Sequence, residues 1–274
     1  MTAQTAMTSV TIATEDLWVD TPRGRLFARR WVPARPASPV PIVLFHESLG
    51  CVGAWRDFPA ALAETTGRSV LAYDRLGFGQ SDPYEGLLKP RGFMVEEASE
   101  HFDRLKQALG IQRFVAFGHS VGGAIAFCVA AHHPESCLGV ISESAVVFVE
   151  PKTAVGLVEA RRLFADAAQF QRLIKYHGDK SRWVLDAWLD TWMSEEMKTW
   201  SLDEVLQQVH CPTLVLQGGS DEFSTDDQPR HIAEHLSGQS SIVMLPKCGH
   251  VPHRERLAEV LEACSHWLRF QEIP

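Results

Sequence analysis

Short runs of consecutive apolar residues alternate with longer amphipathic segments along most of the chain. Six such runs end at Phe45, Tyr73, Phe117, Ile141, Leu216 and Leu245. Because they are apolar throughout, they predict strands that are covered on both faces of a sheet. Two shorter apolar segments between Asp16 and Val32, split by Thr-Pro-Arg-Gly, predict a hairpin before them.

Between these runs, apolar residues recur at intervals of three and four. This spacing predicts helices over residues 56–66, 94–109, 121–132, 228–236 and 254–270. Strands that alternate with helices favour right-handed βαβ units. We therefore expect an α/β fold with a doubly wound, mostly parallel sheet of about eight strands.

One stretch, residues 145–208, breaks this alternation. It has no strand-like run, and it holds four of the eight tryptophans of the chain. It begins just past a predicted strand end, where open α/β sheets bind ligands. We expect a helical cap (145–208) inserted in a core domain (1–144 and 209–274). The alternative is a pair of ordinary surface helices with tryptophans in their own core.

The most informative motif is Gly118-His-Ser-Val-Gly122, which joins the run ending at Phe117 to a helical segment. A serine on such a strand-to-helix turn has an exposed hydroxyl, so Ser120 is the candidate nucleophile. His250 follows the last strand run and is the candidate base. Asp221 follows the run ending at Leu216 and is the carboxylate expected to orient the imidazole.

Other residues compete for these roles. His253 lies three residues after the candidate base. Glu222 is adjacent to the candidate acid, and Glu143 follows the preceding strand run. An acyl-transfer site also needs oxyanion donors, for which we expect the backbone N–H groups of Val121, at a helix N-terminus, and of Ser48, in the loop after the third strand.

Five pieces of the chain together resemble an α/β-hydrolase fold serine hydrolase, from about residue 15 onward. They are Val-Leu-Phe-His46, Tyr-Asp74-Arg-Leu-Gly-Phe-Gly-Gln-Ser81, the Ser120 motif, Gly-Gly-Ser-Asp221 and Gly249-His250. The resemblance implies a carboxylesterase-like enzyme that cleaves an ester-like carbonyl through an acyl-enzyme. It also implies that the segment from Asp74 to Ser81 is a structural turn.

The same triad in this family also serves C–C bond hydrolases, lactonases, thioesterases, iminopeptidases and perhydrolases. A non-catalytic ligand-binding protein on the same fold is an alternative of another class. Where many members have His-Gly, this chain has His46-Glu47. We expect Glu47, His119, Trp183 and Trp188 to line the pocket, and a substrate of small to medium size that is apolar or aromatic.

Composition narrows the partners. The net charge of −8, with no basic block, argues against nucleic acid. No apolar stretch reaches the ~20 residues of a membrane span, and the N-terminus lacks the features of a secretion signal, so we expect a cytoplasmic protein. No metal or cofactor motif is found, so we expect neither group. The expected partner is a small-molecule substrate, and a homodimer is an open alternative to a monomer.

Overall fold

The structure is a computed structural model that describes residues 11–274. Its first strand begins at Ile12. The absence of a secretion signal was predicted largely from residues that lie outside the described part of the chain.

Within the described residues, eight strands form one sheet in the order β1-β2-β4-β3-β5-β6-β7-β8. The strands are β1 (Ile12–Thr21), β2 (Gly24–Pro33), β3 (Ile42–Phe45), β4 (Val70–Tyr73), β5 (Phe114–His119), β6 (Cys137–Glu143), β7 (Thr213–Gly218) and β8 (Ser240–Leu245). The β1–β2 and β2–β4 pairs are antiparallel, and the remaining pairs are parallel. The predicted fold class is confirmed.

The hairpin of β1 and β2 is longer than its two apolar segments suggested. All ten residues of each strand are paired, including the polar ones. The Asp16 carboxylate accepts from Arg29 at 2.5 Å, and Arg30 lies 3.7 Å from Glu15 on the neighbouring pair. Polar side chains paired across the strands therefore continue the ladder where apolar residues run out.

Eleven α-helices accompany this sheet in the described part of the chain. They are α1 (Phe58–Thr66), α2 (Phe93–Glu96), α3 (Phe102–Ala108), α4 (Val121–His132), α5 (Pro151–Leu163), α6 (Ala167–His177), α7 (Ser181–Trp192), α8 (Asp203–Leu206), α9 (Asp227–His235), α10 (Pro252–Glu255) and α11 (Leu257–Phe270). All five predicted helical segments are helical.

Two of those segments are interrupted. The segment predicted at 94–109 contains a π-helical turn, Glu97–His101, where the buried Glu97 carboxylate accepts from Tyr73 Oη at 2.7 Å. The segment predicted at 254–270 is divided at Arg256, whose backbone (φ −137°, ψ 45°) is not helical. In neither place does the apolar spacing change, so the pattern alone could not predict the break.

Helices cover both faces of the sheet. One buried cluster includes Phe102, Phe114 and most of α4, and a second includes Phe58, Phe117 and Trp267 on the opposite face. Every residue of β3, β4 and β5 is buried. The central strands therefore form a rigid base from whose carboxyl ends the functional loops emerge.

The stretch between β6 and β7 is helical, as its composition suggested. It comprises α5, α6, α7 and α8 with short 3₁₀ turns. Near its end, Leu206 and Val209 are fully buried in the same cluster as α4. Its separation from the core as a cap domain stays a prediction.

Candidate active site

Ser120 occupies the sharp turn between β5 and α4. Its φ of 55° and ψ of −122° are unusual for a residue with a side chain. The turn is tight because two glycines leave room for it. A Cβ on Gly118 would lie 2.0 Å from the Gly122 carbonyl oxygen, and one on Gly122 would lie 2.0 Å from the Phe45 carbonyl oxygen. The strained backbone thus presents the hydroxyl at the carboxyl edge of the sheet.

The three residues predicted as a triad are joined by hydrogen bonds. His250 Nε2 lies 3.0 Å from Ser120 Oγ, and His250 Nδ1 lies 2.8 Å from Asp221 Oδ2. Because the carboxylate oxygen can only accept, Nδ1 carries the proton and Nε2 is left to accept from the serine hydroxyl. This is the tautomer that a general base requires.

Asp221 is held in its ionised form by several donors. Its Oδ1 accepts the N–H groups of Phe223 at 2.8 Å and Ser224 at 3.1 Å, and its Oδ2 also accepts from Gln217 Nε2 at 2.9 Å. Burial acts to raise the pKa of this carboxyl, but the bonds from His250 and these donors outweigh burial and lower it. The carboxylate is therefore fixed in both orientation and charge.

The His250 imidazole is buried, which by itself disfavours its protonated form. The hydrogen bond and the charge of Asp221 act the other way, with help from Glu222 and Glu47, and the pKa of His250 is raised from its ordinary value. The surroundings of His250 therefore favour its protonated form in spite of burial.

The competing residues form a second buried pair. Glu143, at the end of β6, accepts from the His253 N–H at 2.8 Å and from His253 Nδ1 at 2.5 Å. Both carboxylate oxygens of Glu143 are therefore occupied by the other histidine. The only bond of this pair to the three residues is a main-chain one, from the Ser120 N–H to the Glu143 carbonyl oxygen at 2.8 Å, so within the described residues neither side chain bonds to Ser120, His250 or Asp221. Glu222 accepts the backbone N–H of His250 at 3.1 Å, so its hydrogen bond is to the main chain of His250 and it acts on the imidazole through its charge alone.

His119 lies directly beneath the triad. Its Nε2 donates to the His250 carbonyl oxygen at 2.8 Å, and its ring lies 5.2 Å from the His250 ring. Burial, with the nearby His253 and His250, lowers the pKa of His119 well below its ordinary value. The neutral His119 side chain, at the end of β5, thus links this strand to the main chain of His250.

Of the two predicted oxyanion donors, Ser48 lines the cavity in front of Ser120, and Val121 directly follows Ser120 in the chain. Val121 is also the first residue of α4. Within residues 11–274, the N–H groups of Val121 and Ser48 have no protein acceptor. Two free N–H groups close to a serine hydroxyl are what an oxyanion requires.

The cavity in front of Ser120 has a volume of about 940 Å³. Its walls are mainly apolar and come largely from α5, with further residues from α7 and from the segments that follow β3, β7 and β8. The predicted lining residues Glu47, His119 and Trp188 are among them. The Glu47 carboxylate accepts the Leu49 N–H at 2.5 Å, which turns this side chain along the loop of residues 46–51, called the oxyanion loop below for its predicted role.

Trp183 does not line this cavity, so its predicted place in the pocket is wrong. Its indole stacks on Tyr84 with ring centroids 5.5 Å apart, and its Nε1 donates to the Gly86 carbonyl oxygen at 2.9 Å. The reason is helical geometry: α7 turns Trp188 and Trp192 toward the cavity and Trp183 toward the turn at Gly77. Spacing within the helix could have separated the two faces.

Sequence reasoning missed other lining residues, notably Trp192, Phe223 and Arg254. Phe223 had a signal, because it lies two residues after the candidate acid. The first turn of α5 was also missed. Lys152 Nζ donates to the carbonyl oxygens of Asp221 at 2.5 Å and Ser224 at 3.1 Å.

Three described groups of side chains have the spacing of metal ligands. One is His119 with Glu143 and His253, whose ligand atoms lie within 4.8 Å of one another. Here both oxygens of Glu143 already accept from His253, so the carboxylate has its partners without an ion. The absence of a metal or cofactor stays a prediction.

The comparisons agree with this geometry. Residues 40–182, more than half of the chain, match the model of the alpha/beta hydrolase fold family. The chain belongs to that family. Its relatives include monoglyceride lipase of Mus musculus, 25% identical over 88% of this chain and 84% of the relative, and proline iminopeptidase of Saccharolobus solfataricus, 24% identical over 80% and 82%.

Solved structures share the fold of this hydrolase. One is the 2-hydroxy-6-oxo-6-phenylhexa-2,4-dienoate hydrolase of a Rhodococcus strain, with a TM-score of 0.74 and 21% identity over 94% of this chain and all of the other. A bacterial membrane phospholipase A also has a TM-score of 0.74, with 19% identity over 96% and 87%. The sequence relatives of this hydrolase thus include lipases and peptidases. Within the described residues, no helix combines the length and apolarity needed to span a bilayer.

Proposed function

We propose that this hydrolase cleaves esters with an apolar acyl or alcohol group through an acyl-enzyme on Ser120. The observation that carries the proposal is the hydrogen-bonded chain from Ser120 to His250 (3.0 Å) to Asp221 (2.8 Å), which opens onto a mainly apolar cavity of about 940 Å³. Such a cavity binds apolar groups by removing their surface from water.

In the first half-reaction, Ser120 Oγ attacks the carbonyl carbon as His250 Nε2 takes the hydroxyl proton. The negative charge moves to the carbonyl oxygen, where the N–H groups of Val121 and Ser48 stabilise it. The tetrahedral intermediate collapses, the C–O bond to the alcohol breaks, and the imidazolium gives its proton to the leaving alcohol. Asp221 stays ionised and keeps the imidazole oriented.

In the second half-reaction, water attacks the acyl-enzyme in place of the alcohol. His250 takes the proton of the water and returns it to Ser120 Oγ when the acid leaves. The base and the nucleophile are thereby restored, and no cofactor enters the balance.

The test compares the wild type with Ser120→Ala, using p-nitrophenyl esters of increasing acyl length and a fluorophosphonate probe. We expect labelling and ester turnover in the wild type and neither in Ser120→Ala, with Ser99→Ala as the remote serine control. Each acyl methylene that enters the cavity adds up to about 0.8 kcal/mol to binding, so kcat/KM rises with chain length. Labelling that persists in Ser120→Ala would refute the mechanism.

A second comparison tests the acid. Asp221→Asn should lower kcat by about 10⁴-fold, because the imidazole loses the partner that fixes its tautomer. Glu143→Gln breaks only the pair with His253, so its main effect is on the free energy of unfolding. The opposite ranking in kcat would assign the acid to Glu143.

A further inference from the structure

The turn from Asp74 to Ser81, expected to be only structural, sends one side chain to the oxyanion loop. Arg75 follows β4 and is 4% exposed. Its Nη2 donates to the Glu47 carbonyl oxygen at 3.2 Å, and its guanidinium lies over the Phe78 ring, 4.2 Å from the centroid. A buried cation is thus directed at the Glu47–Ser48 peptide group, which carries the Ser48 N–H.

His46 holds the same carbonyl from a second direction. Its Nε2 faces two donors of Arg75, the backbone N–H at 3.2 Å and Nε at 3.4 Å, so Nε2 is the acceptor. The ring proton is therefore on Nδ1, which donates to the Glu47 carbonyl oxygen at 2.8 Å. Burial and the charge of Arg75 lower the pKa of His46 well below its ordinary value, which keeps this neutral tautomer.

A third donor completes the arrangement. The Gly50 N–H bonds to the Glu47 carbonyl oxygen at 3.0 Å. A side chain at this position would not fit, because a Cβ on Gly50 would lie 2.9 Å from the Cβ of His46. One carbonyl oxygen therefore accepts three N–H groups, one of them charged.

The peptide plane transmits this arrangement to the cavity. In a trans peptide the N–H points opposite to the C=O, so three donors on the Glu47 oxygen fix the direction of the Ser48 N–H. That N–H has no acceptor within residues 11–274, and Ser48 lines the cavity beside Ser120. Polarising the carbonyl also makes the N–H a stronger donor, because hydrogen bonds in a chain reinforce one another.

We propose that Arg75 and His46 are positioning residues that orient and polarise the Glu47–Ser48 peptide as the second oxyanion donor. This inference rests on the proposed function, since an oxyanion forms only if Ser120 attacks a carbonyl. It gives the Asp-Arg segment after β4 a part in transition-state stabilisation without any contact with substrate.

The test uses Arg75→Met and Arg75→Lys, with Arg68→Met as the matched control. Arg68 is also a buried arginine that donates to main-chain carbonyls, at Val40 and Ile273, but it lies outside the cavity lining. The readouts are kcat and KM for p-nitrophenyl butyrate, the Ki of an alkyl trifluoromethyl ketone, which forms an oxyanion adduct with the serine, and the melting temperature.

Complete loss of one oxyanion donor lowers kcat by about 10²–10³-fold. Arg75→Met misorients the donor rather than removing it, so we expect kcat to fall by about 10- to 100-fold with KM within about threefold of wild type. The trifluoromethyl ketone Ki should rise by the same factor as kcat/KM falls. Arg75→Lys, which keeps the charge and one donor, should lie between Arg75→Met and wild type. Arg68→Met should lower the melting temperature while changing kcat and Ki less than about threefold.

A folded Arg75 variant with wild-type kcat and Ki would overturn the inference, as would a fall in kcat with an unchanged Ki. If Arg75→Met does not fold, the Arg75→Lys values decide by the same two criteria. Failure of the proposed function has a different signature, because the wild type would then neither hydrolyse the ester nor react with the fluorophosphonate at Ser120. That result would overturn both proposals.

Discussion

The charge around the His250 imidazole comes from three carboxylates with different contacts. Asp221 bonds to the ring, Glu222 bonds to the backbone N–H of His250, and Glu47 acts from the oxyanion loop. Together they outweigh burial and raise the pKa of His250. A base must be neutral to accept a proton, so kcat/KM should fall as the pH drops through a pKa above the ordinary value of about 6.5.

Replacing Glu222 with glutamine should move this acid limb to lower pH. The amide oxygen can still accept the His250 N–H, but the negative charge that stabilises the imidazolium is gone, so the pKa of His250 falls. The measurement is kcat/KM from pH 5 to 9. Glu159→Gln is the control, because Glu159 lines the same cavity in an ion pair with Arg162. An acid limb of Glu222→Gln that coincides with that of wild type would contradict the prediction.

At this scale the sequence was most informative where chain order and strand ends coincide. Ser120, Asp221 and His250 each follow an apolar run, and parallel strands bring such positions to one edge of the sheet. The contacts of Arg75 could not be read in this way, because its partners are the ring of His46 and a main-chain oxygen of Glu47. Trp183 is a different case, because its spacing from Trp188 already places the two side chains on different faces of α7.

Among the elements, the turn between β5 and α4 is the most constrained. The backbone oxygens of Phe45 and Gly122 lie where Cβ atoms at Gly122 and Gly118 would be. Strand β3, strand β5 and helix α4 therefore approach one another more closely than residues with side chains would allow. The geometry of Ser120 is a property of three packed elements rather than of five residues.

Gly122→Ala should destabilise the protein by about 1–3 kcal/mol or more, because the new methyl group would push α4 away from β3. Gly92→Ala is the control, since a Cβ there would meet only the Lys89 side chain at 3.6 Å and its φ of −110° suits alanine. Urea unfolding measures both variants, and we expect the unfolding free energy of Gly92→Ala to remain within about 1 kcal/mol of wild type. Equal stability of the two variants would show that the turn relaxes freely.

The elements themselves were largely predictable because each parallel strand is buried on both faces and so is continuously apolar. The exceptions are polar. Asp16 and Glu15 of β1 pair with Arg29 and Arg30 of β2, and the Glu97 carboxylate in the π-helical turn accepts from Tyr73 on β4. Hydrogen bonds between distant polar groups leave no periodic trace in a sequence.

For the whole molecule, neutral buried histidines couple the fold to pH. His46, His119 and His177 are each 2% exposed. Burial lowers the pKa of His177 from 6.5 to about 4, with Lys180 and Arg75 adding to the effect. The unfolded chain binds protons at this histidine below about pH 6.5, but the folded chain does not until about pH 4. The contribution of His177 to the free energy of unfolding is therefore lost as the pH falls from about 6.5 to about 4.

His177→Asn should flatten this dependence. The wild-type contribution from His177 is up to about 3 kcal/mol across that range, and the variant lacks it. The buried Asp74, whose pKa is raised by burial to about 6, acts in the opposite direction in both proteins and cancels in the comparison. Guanidinium unfolding at pH 7.5, 6.5, 5.5 and 4.5 measures the slopes. Parallel curves for wild type and variant would contradict the prediction.

The alternation of strands and helices was enough to predict the global architecture. It did not predict how the residues between β6 and β7 are bonded to the rest of the molecule. The attachment depends on single long-range bonds such as that of His177 Nε2 to the Leu49 carbonyl oxygen at 2.9 Å. The cytoplasmic location stays a prediction, and a homodimer stays an open alternative to a monomer.

Lys152, in the first turn of α5, has a consequence for how this enzyme can diversify. Its Nζ donates to the Asp221 carbonyl oxygen, and Thr153 Oγ1 donates to the Phe223 carbonyl oxygen at 3.0 Å. At the end of α6, His177 donates to the Leu49 carbonyl oxygen in the oxyanion loop. The segment from α5 to α6, which forms a wall of the cavity, is therefore hydrogen-bonded at its start to the loop of Asp221 and at its end to the oxyanion loop. Mutational libraries aimed at new substrates belong between these anchors, at residues 155–169, where the lining can change while the chemistry stays in place.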